Sequence, residues 1–282
     1  MDIETSKEIA VPFLKWAGGK RWLTKRFPDL IPRSFRRYYE PFLGSGAVFF
    51  HLDPPAASIS DSNGELVDTY RAIRDEPENV MRVLRAHSTR HNDDYYYVVR
   101  ASQPKTPAGI AARFLYLNRT CWNGLYRVNK QGQFNVPRGT KDSVVFPNDN
   151  FQLTSRRLKR ARLNCCDFEL AIDQAEEDDF VFVDPPYTVK HNYNGFLKYN
   201  QSIFSWNDQV RLARAIQRAT KRGAKILVLN ANHESVRELY SGIGVQRTLP
   251  RSSILAASSN FRTKTHELAI GINYKVHDDL FD

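Results

Sequence analysis

Four consecutive residues, Asp184-Pro185-Pro186-Tyr187, combine a carboxylate, two rigid prolines and an aromatic ring. The prolines fix the backbone and lack amide hydrogens, so the segment presents carbonyl oxygens and few donors. An exocyclic amine on a purine is a poor nucleophile because its lone pair is delocalised. Hydrogen bonds from its two hydrogens to Asp184 and the Pro185 carbonyl would concentrate electron density on the nitrogen. The motif predicts attack of a base amino group on an electrophilic methyl, with Tyr187 stacked on an extruded base. The alternative is a rigid surface turn.

A second group of residues is suited to binding a small ligand. Gly44 and Gly46 lie where a strand is expected to turn into a helix, so the backbone can approach a ligand and offers free amides. Asp61 follows Glu40 by 21 residues, at the expected end of the second strand, where such sheets hold a ribose diol. Helix capping is the alternative for Asp61. Because the full dinucleotide fingerprint is missing, an NAD-dependent oxidoreductase is disfavoured.

The segment from Phe13 to Lys20, FLKWAGGK, places an aromatic side chain and two cations beside two glycines. It suits a zwitterionic ligand, with Lys20 reaching a carboxylate and Trp16 forming a wall. The alternative is a loop with one anchoring tryptophan.

The elements that must position these residues follow an α/β order. A strand, a glycine turn, a helix at 47–52 and a second strand occupy the first 62 residues, helical spacing dominates 63–162, and strands return after 163. Residues 120–139 alternate and carry turn residues, which indicates a hairpin or ordered loop inside the helical region. We therefore predict one α/β catalytic domain, residues 1–62 and 163–282, interrupted by a recognition domain, 63–162, with a hairpin at 118–139. The later elements are predicted as strands at 163–166, 180–183, 225–229 and 267–273 and a helix at 207–222.

Composition narrows the class of protein. The chain has 282 residues, 41% of them hydrophobic, and a formal charge of +10; such a basic balance is compatible with binding to nucleic acid. The three cysteines form no C-x-x-C pair, so we expect neither zinc nor disulfides. The amino terminus does not resemble a signal peptide, and no long apolar run is present. We expect a cytoplasmic protein with no metal and no membrane association.

In this order, the motifs resemble those of the Dam-type DNA adenine methyltransferases over most of the chain. The resemblance implies a Rossmann-like sheet that binds S-adenosylmethionine, releases S-adenosylhomocysteine and uses no metal. Cys166-Asp167-Phe168 is similar to the family segment that meets the cofactor's adenine. The resemblance assigns catalysis to Asp184, Pro185 and Tyr187. It assigns cofactor binding to Trp16, Gly18, Lys20, Glu40, Phe42, Gly44, Ser45, Gly46, Asp61, Asp167, Phe168 and Asp184.

Two segments of the insertion, 118–127 and 134–139, are similar to the family's recognition hairpin. By that resemblance Arg127 reads a guanine edge, or, alternatively, clamps a phosphate. Trp122 would fill the space left by the flipped adenine, the alternative being core packing. The resemblance assigns DNA binding to Lys15, Trp122, Asn123, Leu125, Arg127, Asn135, Pro137 and Arg138. A loop at 200–205 and the cations Arg251, Arg262 and Lys264 are further candidates for DNA contact, with a solvated loop as the alternative.

The resemblance implies a site-specific enzyme that methylates adenine N6 in duplex DNA, within GATC, after base flipping. Two alternatives stay open: a non-catalytic DNA-binding module that retains the fold, and an amino-methyltransferase acting on cytosine N4 or RNA adenine. The hairpin favours duplex DNA, because side chains can read its major groove whereas A-form RNA hides that groove. The expected partners are double-stranded DNA and a cognate restriction endonuclease, and the expected state is a monomer or weak dimer.

Overall fold

The computed structural model describes residues 10–129, 131–190, 204–252 and 264–275. The chain divides into two compact units. Unit 1 comprises Met1–Arg26 and Leu43–Cys165, and unit 2 comprises Phe27–Phe42 and Cys166–Asp282. The predicted domain boundaries stay a prediction.

Seven strands and ten helices lie in the described residues. The strands are β1 Tyr38–Glu40, β2 Ala57–Asp61, β3 Ala161–Cys165, β4 Phe180–Val183, β5 Lys225–Ala231, β6 Val245–Ser252 and β7 Lys264–Ile272. The helices are α1 Arg21–Arg26, α2 Ala47–Leu52, α3 Gly64–Asp75, α4 Pro77–Arg90, α5 Asp93–Ala101, α6 Pro107–Thr120, α7 Phe151–Leu158, α8 Phe168–Ile172, α9 Trp206–Lys221 and α10 Glu234–Leu239. Short 3₁₀ turns occur at Pro28–Leu30 and Trp122–Gly124.

Unit 1 is built around α6, which packs against α3, α4 and α5. Thr106 caps this helix by accepting a hydrogen bond from the Gly109 amide, and Pro107 occupies the first turn, where its missing N–H costs nothing. The helix is buried on nearly all sides, including its polar carboxyl end at Asn118 to Thr120. Strands β2 and β3 pair in parallel in the same unit. The carboxyl end of α6 is therefore a fixed point for the segments that touch it.

Unit 2 contains a mixed sheet. Strand β4 pairs in parallel with β1 and with β5, while β7 runs antiparallel between β5 and β6. Every residue of β4 is buried, as expected for a strand inside a parallel sheet. Helix α9 begins with a capping box formed by Ser205 and Asp208, and it packs against α8 and β5.

These elements confirm the α/β class with mostly parallel strands that the sequence predicts, consistent with a Rossmann-like methyltransferase fold. Helix α2 and strand β4 have the predicted bounds, and the other predicted strands differ from the observed ones by up to three residues. Strand β6 was not predicted, because Pro250 and polar side chains interrupt its pattern. Proline is tolerated there since β6, in the described part of unit 2, pairs only with β7. No helix in the described ranges has the length and apolar character needed to cross a membrane.

Candidate active site

The predicted cofactor segment from Phe13 to Lys20 is held by the carboxyl end of α6 in unit 1. The Lys15 amide donates to Asn118 Oδ1 at 2.9 Å, and Asn118 Nδ2 donates to the Lys15 carbonyl at 2.7 Å. Arg119 Nη2 donates to the Phe13 carbonyl at 2.9 Å. Three hydrogen bonds with two consecutive helix residues therefore fix the backbone at residues 13 and 15.

Arg119 is itself immobilised. Its side chain has 0% exposure, and its two terminal nitrogens donate to the two Asp149 oxygens at 2.5 and 2.8 Å. The guanidinium also lies 4.2 Å from the centroid of Phe146 and donates to the Val144 carbonyl at 2.8 Å. A buried arginine is tolerated only with such pairing. The sequence analysis missed this clamp.

Trp16 contacts the glycine loop, residues 43–46, at Gly44. Its ring stacks on Phe114 at 6.3 Å and on Tyr126 at 5.8 Å between centroids. Gly44 has a φ of +47°, and a Cβ built there would lie 2.7 Å from Trp16 Cδ1. Glycine is needed at position 44 for two reasons, because other residues disfavour this φ and because the indole occupies the space of a side chain.

Asp61 ties the glycine loop to the start of α3. Its Oδ2 accepts from the Gly44 amide at 3.1 Å and its Oδ1 from the Asn63 amide at 3.0 Å. The side chain that caps α3 is that of Asn63, which accepts from the Leu66 amide, so the capping alternative does not account for Asp61. Burial raises the pKa of the Asp61 carboxyl, and these backbone hydrogen bonds offset part of that rise.

Lys20 is a buried cation, 3% exposed. Its Nζ donates to the Gly18 carbonyl at 2.7 Å. Gly18 has a φ of +79°, and a Cβ at this position would lie 3.8 Å from that ammonium. The left-handed turn at Gly18 therefore lies directly against the Lys20 ammonium. Ser45 is buried, and Gly46, with a φ of +63°, is the N-cap residue of α2.

The Asp-Pro-Pro-Tyr motif follows β4 directly in unit 2. Pro185 is buried, whereas Asp184 and Tyr187 are partly exposed. The Tyr187 hydroxyl donates to Glu267 Oε2 at 2.8 Å. The next residue, Thr188, is buried and donates through Oγ1 to the Phe204 carbonyl at 2.6 Å. The motif thus has rigid prolines inside it and fixed hydrogen bonds at its end.

Glu40 and Asp184 lie near the same tyrosine. The Tyr38 hydroxyl donates to Glu40 Oε2 at 2.9 Å. Burial, and after it the negative charges of Glu40 and Asp184, raise the pKa of Tyr38 well above its ordinary value. Strand β1 ends at Glu40, and its parallel neighbour β4 ends directly before Asp184. A predicted cofactor residue and the predicted catalytic carboxylate therefore lie at the same edge of the sheet, within unit 2.

A second pair of predicted cofactor residues also meets within unit 2. Phe42 stacks on Phe168 with 5.4 Å between centroids and 22° between planes. The Arg211 guanidinium lies 4.9 Å from the Phe168 centroid and donates to Asp167 Oδ1 at 2.8 Å. Asp167 Oδ1 also accepts from the Glu169 amide and caps α8. The sequence analysis did not identify Arg211, which contacts both Asp167 and Phe168.

The predicted hairpin is an ordered loop closed by two isolated antiparallel bridges, Cys121↔Arg138 and Val128↔Phe134. Arg127 is exposed, and its Nε donates to Asn135 Oδ1 at 2.8 Å. Trp122 is 51% exposed, so core packing does not account for it. Asn123 has a left-handed φ of +54°, Pro137 is exposed and Leu125 is partly buried.

Two predicted DNA contacts are engaged inside the protein. Arg138 forms ion pairs with Asp93 and Asp142. The Lys15 ammonium donates to the Arg119 carbonyl at 3.0 Å, and burial lowers the pKa of Lys15. Both side chains would have to share these partners with DNA, and their roles stay predictions.

The further candidates for DNA contact fall mostly outside the described residues. Residues 200–203 and Arg262 lie outside the described residues, and so do the side chains of Arg251 and Lys264. In the described ranges no group of three or more His, Cys, Asp or Glu side chains could hold a metal ion.

Comparison with known proteins assigns the family. Residues 16–253 match the family model of the D12 class N6 adenine-specific DNA methyltransferase. The chain is 34% identical to the type II methyltransferase M1.LlaDCHI of Lactococcus lactis subsp. cremoris, covering 92% of this chain and 94% of that protein. It is 32% identical to the type II methyltransferase M.MjaIII of Methanocaldococcus jannaschii, covering 93% and 99%. It is 30% identical to the DNA adenine methylase of Haemophilus influenzae, covering 91% and 92%.

The chain belongs to the D12 class N6 adenine-specific DNA methyltransferase family. It is therefore an enzyme of DNA methylation, as the order of its motifs predicts.

Proposed function

We propose that this chain transfers the methyl group of S-adenosylmethionine to adenine N6 within GATC in duplex DNA, after the adenine has left the helix. The observation that carries the proposal is the Asp184-Pro185-Pro186-Tyr187 segment, which directly follows the buried strand β4. Its prolines and the Tyr187 hydrogen bond to Glu267 hold the acceptors and the ring in place.

The residues of unit 1 fit the proposed cofactor. The buried Lys20 ammonium, which donates to the Gly18 carbonyl, is the proposed partner for the methionine carboxylate. The Asp61 carboxylate, which the Gly44 and Asn63 amides orient, would accept hydrogen bonds from the ribose hydroxyls. Gly44 and Gly46 bring the backbone close to a ligand. When bound, S-adenosylmethionine supplies a methyl group on a positively charged sulfur.

In unit 2 we assign cofactor contacts to Glu40, Phe42, Asp167 and Phe168. Asp167 would accept from the amino group of the cofactor's adenine through Oδ2. Its Oδ1 already binds Arg211 and the Glu169 amide, and these two hydrogen bonds fix the orientation of the carboxylate. Arg211 also covers part of Phe168, which stacks on Phe42.

The chemistry on the target base is assigned to this chain's own acceptors. Asp184 would accept one hydrogen of the adenine amino group and the Pro185 carbonyl the other, so that the nitrogen lone pair becomes available for attack. Tyr187 would stack on the base and keep it out of the duplex. The attack is direct, without a covalent enzyme intermediate.

Recognition of GATC is assigned to the hairpin. Arg127 Nε donates to Asn135 Oδ1 and Nη2 donates to the Asn135 carbonyl. We assign the guanidinium that these bonds orient to a guanine edge. The half-exposed Trp122 is available to enter the base stack. The net charge of +10 favours the phosphate backbone. The type II names of two relatives support a cognate restriction endonuclease as partner.

The test is methyl transfer from labelled S-adenosylmethionine to matched duplexes that contain GATC, a scrambled site, or GATC with N6-methyladenine already present. Label is expected only in the first duplex, on adenine N6. Equal labelling of the scrambled duplex would contradict the GATC assignment alone. Label on cytosine, on RNA only, or on no substrate would contradict the proposed reaction.

A further inference from the structure

Strand β7 carries a buried carboxylate where an apolar residue would be expected. Glu267 is 3% exposed, and the three residues that follow it, 268–270, are buried and apolar. Burying an ionisable group is costly unless hydrogen bonds compensate it, and an apolar residue of similar volume often serves stability as well. A contribution to stability is therefore a weak explanation for Glu267.

The surroundings of Glu267 are rigid. Its backbone is paired on one side with Ala231 of β5 and on the other with Leu249 of β6, so β7 is the central strand of this antiparallel group. One residue before Ala231, the buried Asn230 exchanges hydrogen bonds with Gln209 of α9. A side chain on this strand is a fixed reference point for whatever it binds.

Glu267 binds the tyrosine of the catalytic motif. Its Oε2 accepts from the Tyr187 hydroxyl at 2.8 Å, across 80 residues of sequence. Prolines fix the backbone before Tyr187, but they do not fix the rotation of its ring, which has a broad preference about χ2. A hydrogen bond at the far end of the ring removes that freedom.

We propose that Glu267 is a positioning residue that presets the face of the Tyr187 ring for the base that stacks on it. This inference rests on the proposed function, because it requires Tyr187 to contact the extruded adenine. Glu267 touches neither base nor cofactor in this role and acts only through the tyrosine hydroxyl. Its loss then slows methylation without weakening cofactor binding.

The test is a double-mutant cycle on Glu267→Ala and Tyr187→Phe, with Glu267→Gln as the conservative variant. For each protein kcat and KM on a GATC duplex, the Kd of S-adenosylmethionine and the melting temperature are measured. Glu267→Ala and Tyr187→Phe are each expected to lower kcat about tenfold, an effect typical of the loss of one hydrogen bond to a charged group. The double variant is expected to be no slower than the slower single one. Glu267→Gln keeps an acceptor oxygen and is expected to recover most of the rate.

Tyr274→Phe is the matched control, because it removes another tyrosine hydroxyl bond of unit 2, that from Tyr274 to the Leu30 carbonyl at 2.7 Å. Its kcat is expected to stay within about twofold of the unaltered enzyme, since the bond lies outside the motif. An unchanged kcat in Tyr187→Phe, or losses that multiply in the double variant, would overturn the positioning role. If the Glu267→Ala variant does not fold, the kcat of Tyr187→Phe still tests the positioning role, because that variant keeps Glu267. Absence of methylation by the unaltered enzyme would instead reject the proposed function.

Discussion

The two functional segments are fixed by different means. In unit 1, the backbone of residues 13–15 is held by Asn118 and Arg119, more than 100 positions away in sequence. In unit 2, the Asp-Pro-Pro-Tyr segment is stiffened from within by two prolines, and side-chain hydrogen bonds of Tyr187 and of the following Thr188 hold its carboxyl end. The first segment depends on the packing of distant elements, and the second depends largely on its own covalent structure.

This contrast separates stability from chemistry. The Arg119–Asp149 pair of unit 1 is buried and charged, so its removal is expected to weaken the fold together with ligand binding. Asp184 and Tyr187 of the motif in unit 2 are partly exposed residues, so their substitution is expected to affect the reaction while the fold survives.

Asp184→Ala is expected to have the largest effect on the reaction. Loss of one of the two amino-group acceptors should lower kcat by at least about a hundredfold to a thousandfold, the range seen when one preorganised polar contact to a transition state is removed. The melting temperature should change little. The Kd of S-adenosylmethionine should rise far less than kcat falls, because Asp184 is only one of the predicted cofactor contacts.

Asp178→Ala serves as control for Asp184→Ala, because Asp178 is an exposed carboxylate of the same unit, paired with Lys225. Its turnover should match that of the unaltered enzyme. If Asp184→Ala unfolds, or loses the cofactor in proportion to its loss of rate, the motif has a structural role and the contrast between the units fails.

Arg119→Met is expected to have the largest effect on stability. The substitution leaves Asp149 buried without its cation and also removes the donor to the Phe13 carbonyl. Breaking a buried pair by removing one partner costs about 3–5 kcal/mol, which denaturant unfolding would measure. Arg74→Met removes an exposed pair with Asp75 and should cost less than about 1 kcal/mol. Equal losses in the free energy of unfolding for the two variants would show that the buried Arg119 pair stabilises the fold no more than an exposed pair does.

Gly44→Ala tests the contact between the glycine loop and Trp16. Both the left-handed φ and the 2.7 Å approach to Trp16 Cδ1 oppose a side chain, and we expect a loss of about 1–3 kcal/mol in the free energy of unfolding. Gly132→Ala is the control, because Gly132 has a φ of +75° and no atom lies within 4 Å of the added carbon. Its loss in free energy of unfolding measures the backbone strain alone. If the two substitutions cost the same, Trp16 does not restrict the loop.

The sequence predicted the elements that carry local signals. The four buried apolar residues of β4 and the helix after the glycine loop were located to the residue, because an apolar run and a glycine turn are local patterns. The motif residues were found because each is chemically distinctive, and their roles beyond family membership stay predictions.

The Arg119–Asp149 pair and the hydrogen bond from Tyr187 to Glu267 could not be predicted, because they are tertiary contacts. Arg119 stands at the end of an apolar helix pattern, but its partner Asp149 lies 30 residues later with no periodic relation to it. Glu267 offered a signal that was overlooked, since a single carboxylate opens an otherwise apolar strand pattern. Strand β6 was missed because an edge strand needs neither continuous apolar residues nor the absence of proline.

The smallest predicted effect concerns the pH dependence of cofactor binding in unit 1. Burial places the pKa of Asp61 above the ordinary 3.8 of an aspartate. Ribose hydroxyls donate to the ionised form, so affinity should be constant well above this raised pKa. As the pH falls through it, affinity should decline, approaching about tenfold per pH unit below it. Asp61→Asn should bind more weakly at neutral pH and show no such decline, which titration of S-adenosylmethionine at several pH values would measure.

Titration of Asp61 does not unfold the protein in acid, so the decline in affinity is not a loss of stability caused by this group. A carboxyl whose folded-state pKa is raised binds its proton more tightly in the folded protein. Its contribution to the free energy of unfolding is therefore fully present below the unfolded-state pKa and is lost as the pH rises through the folded-state value. Through this group, acid stabilises the fold while it weakens cofactor binding. An affinity that declines equally in Asp61→Asn would show that another group senses the pH and that Asp61 only ties Gly44 to α3.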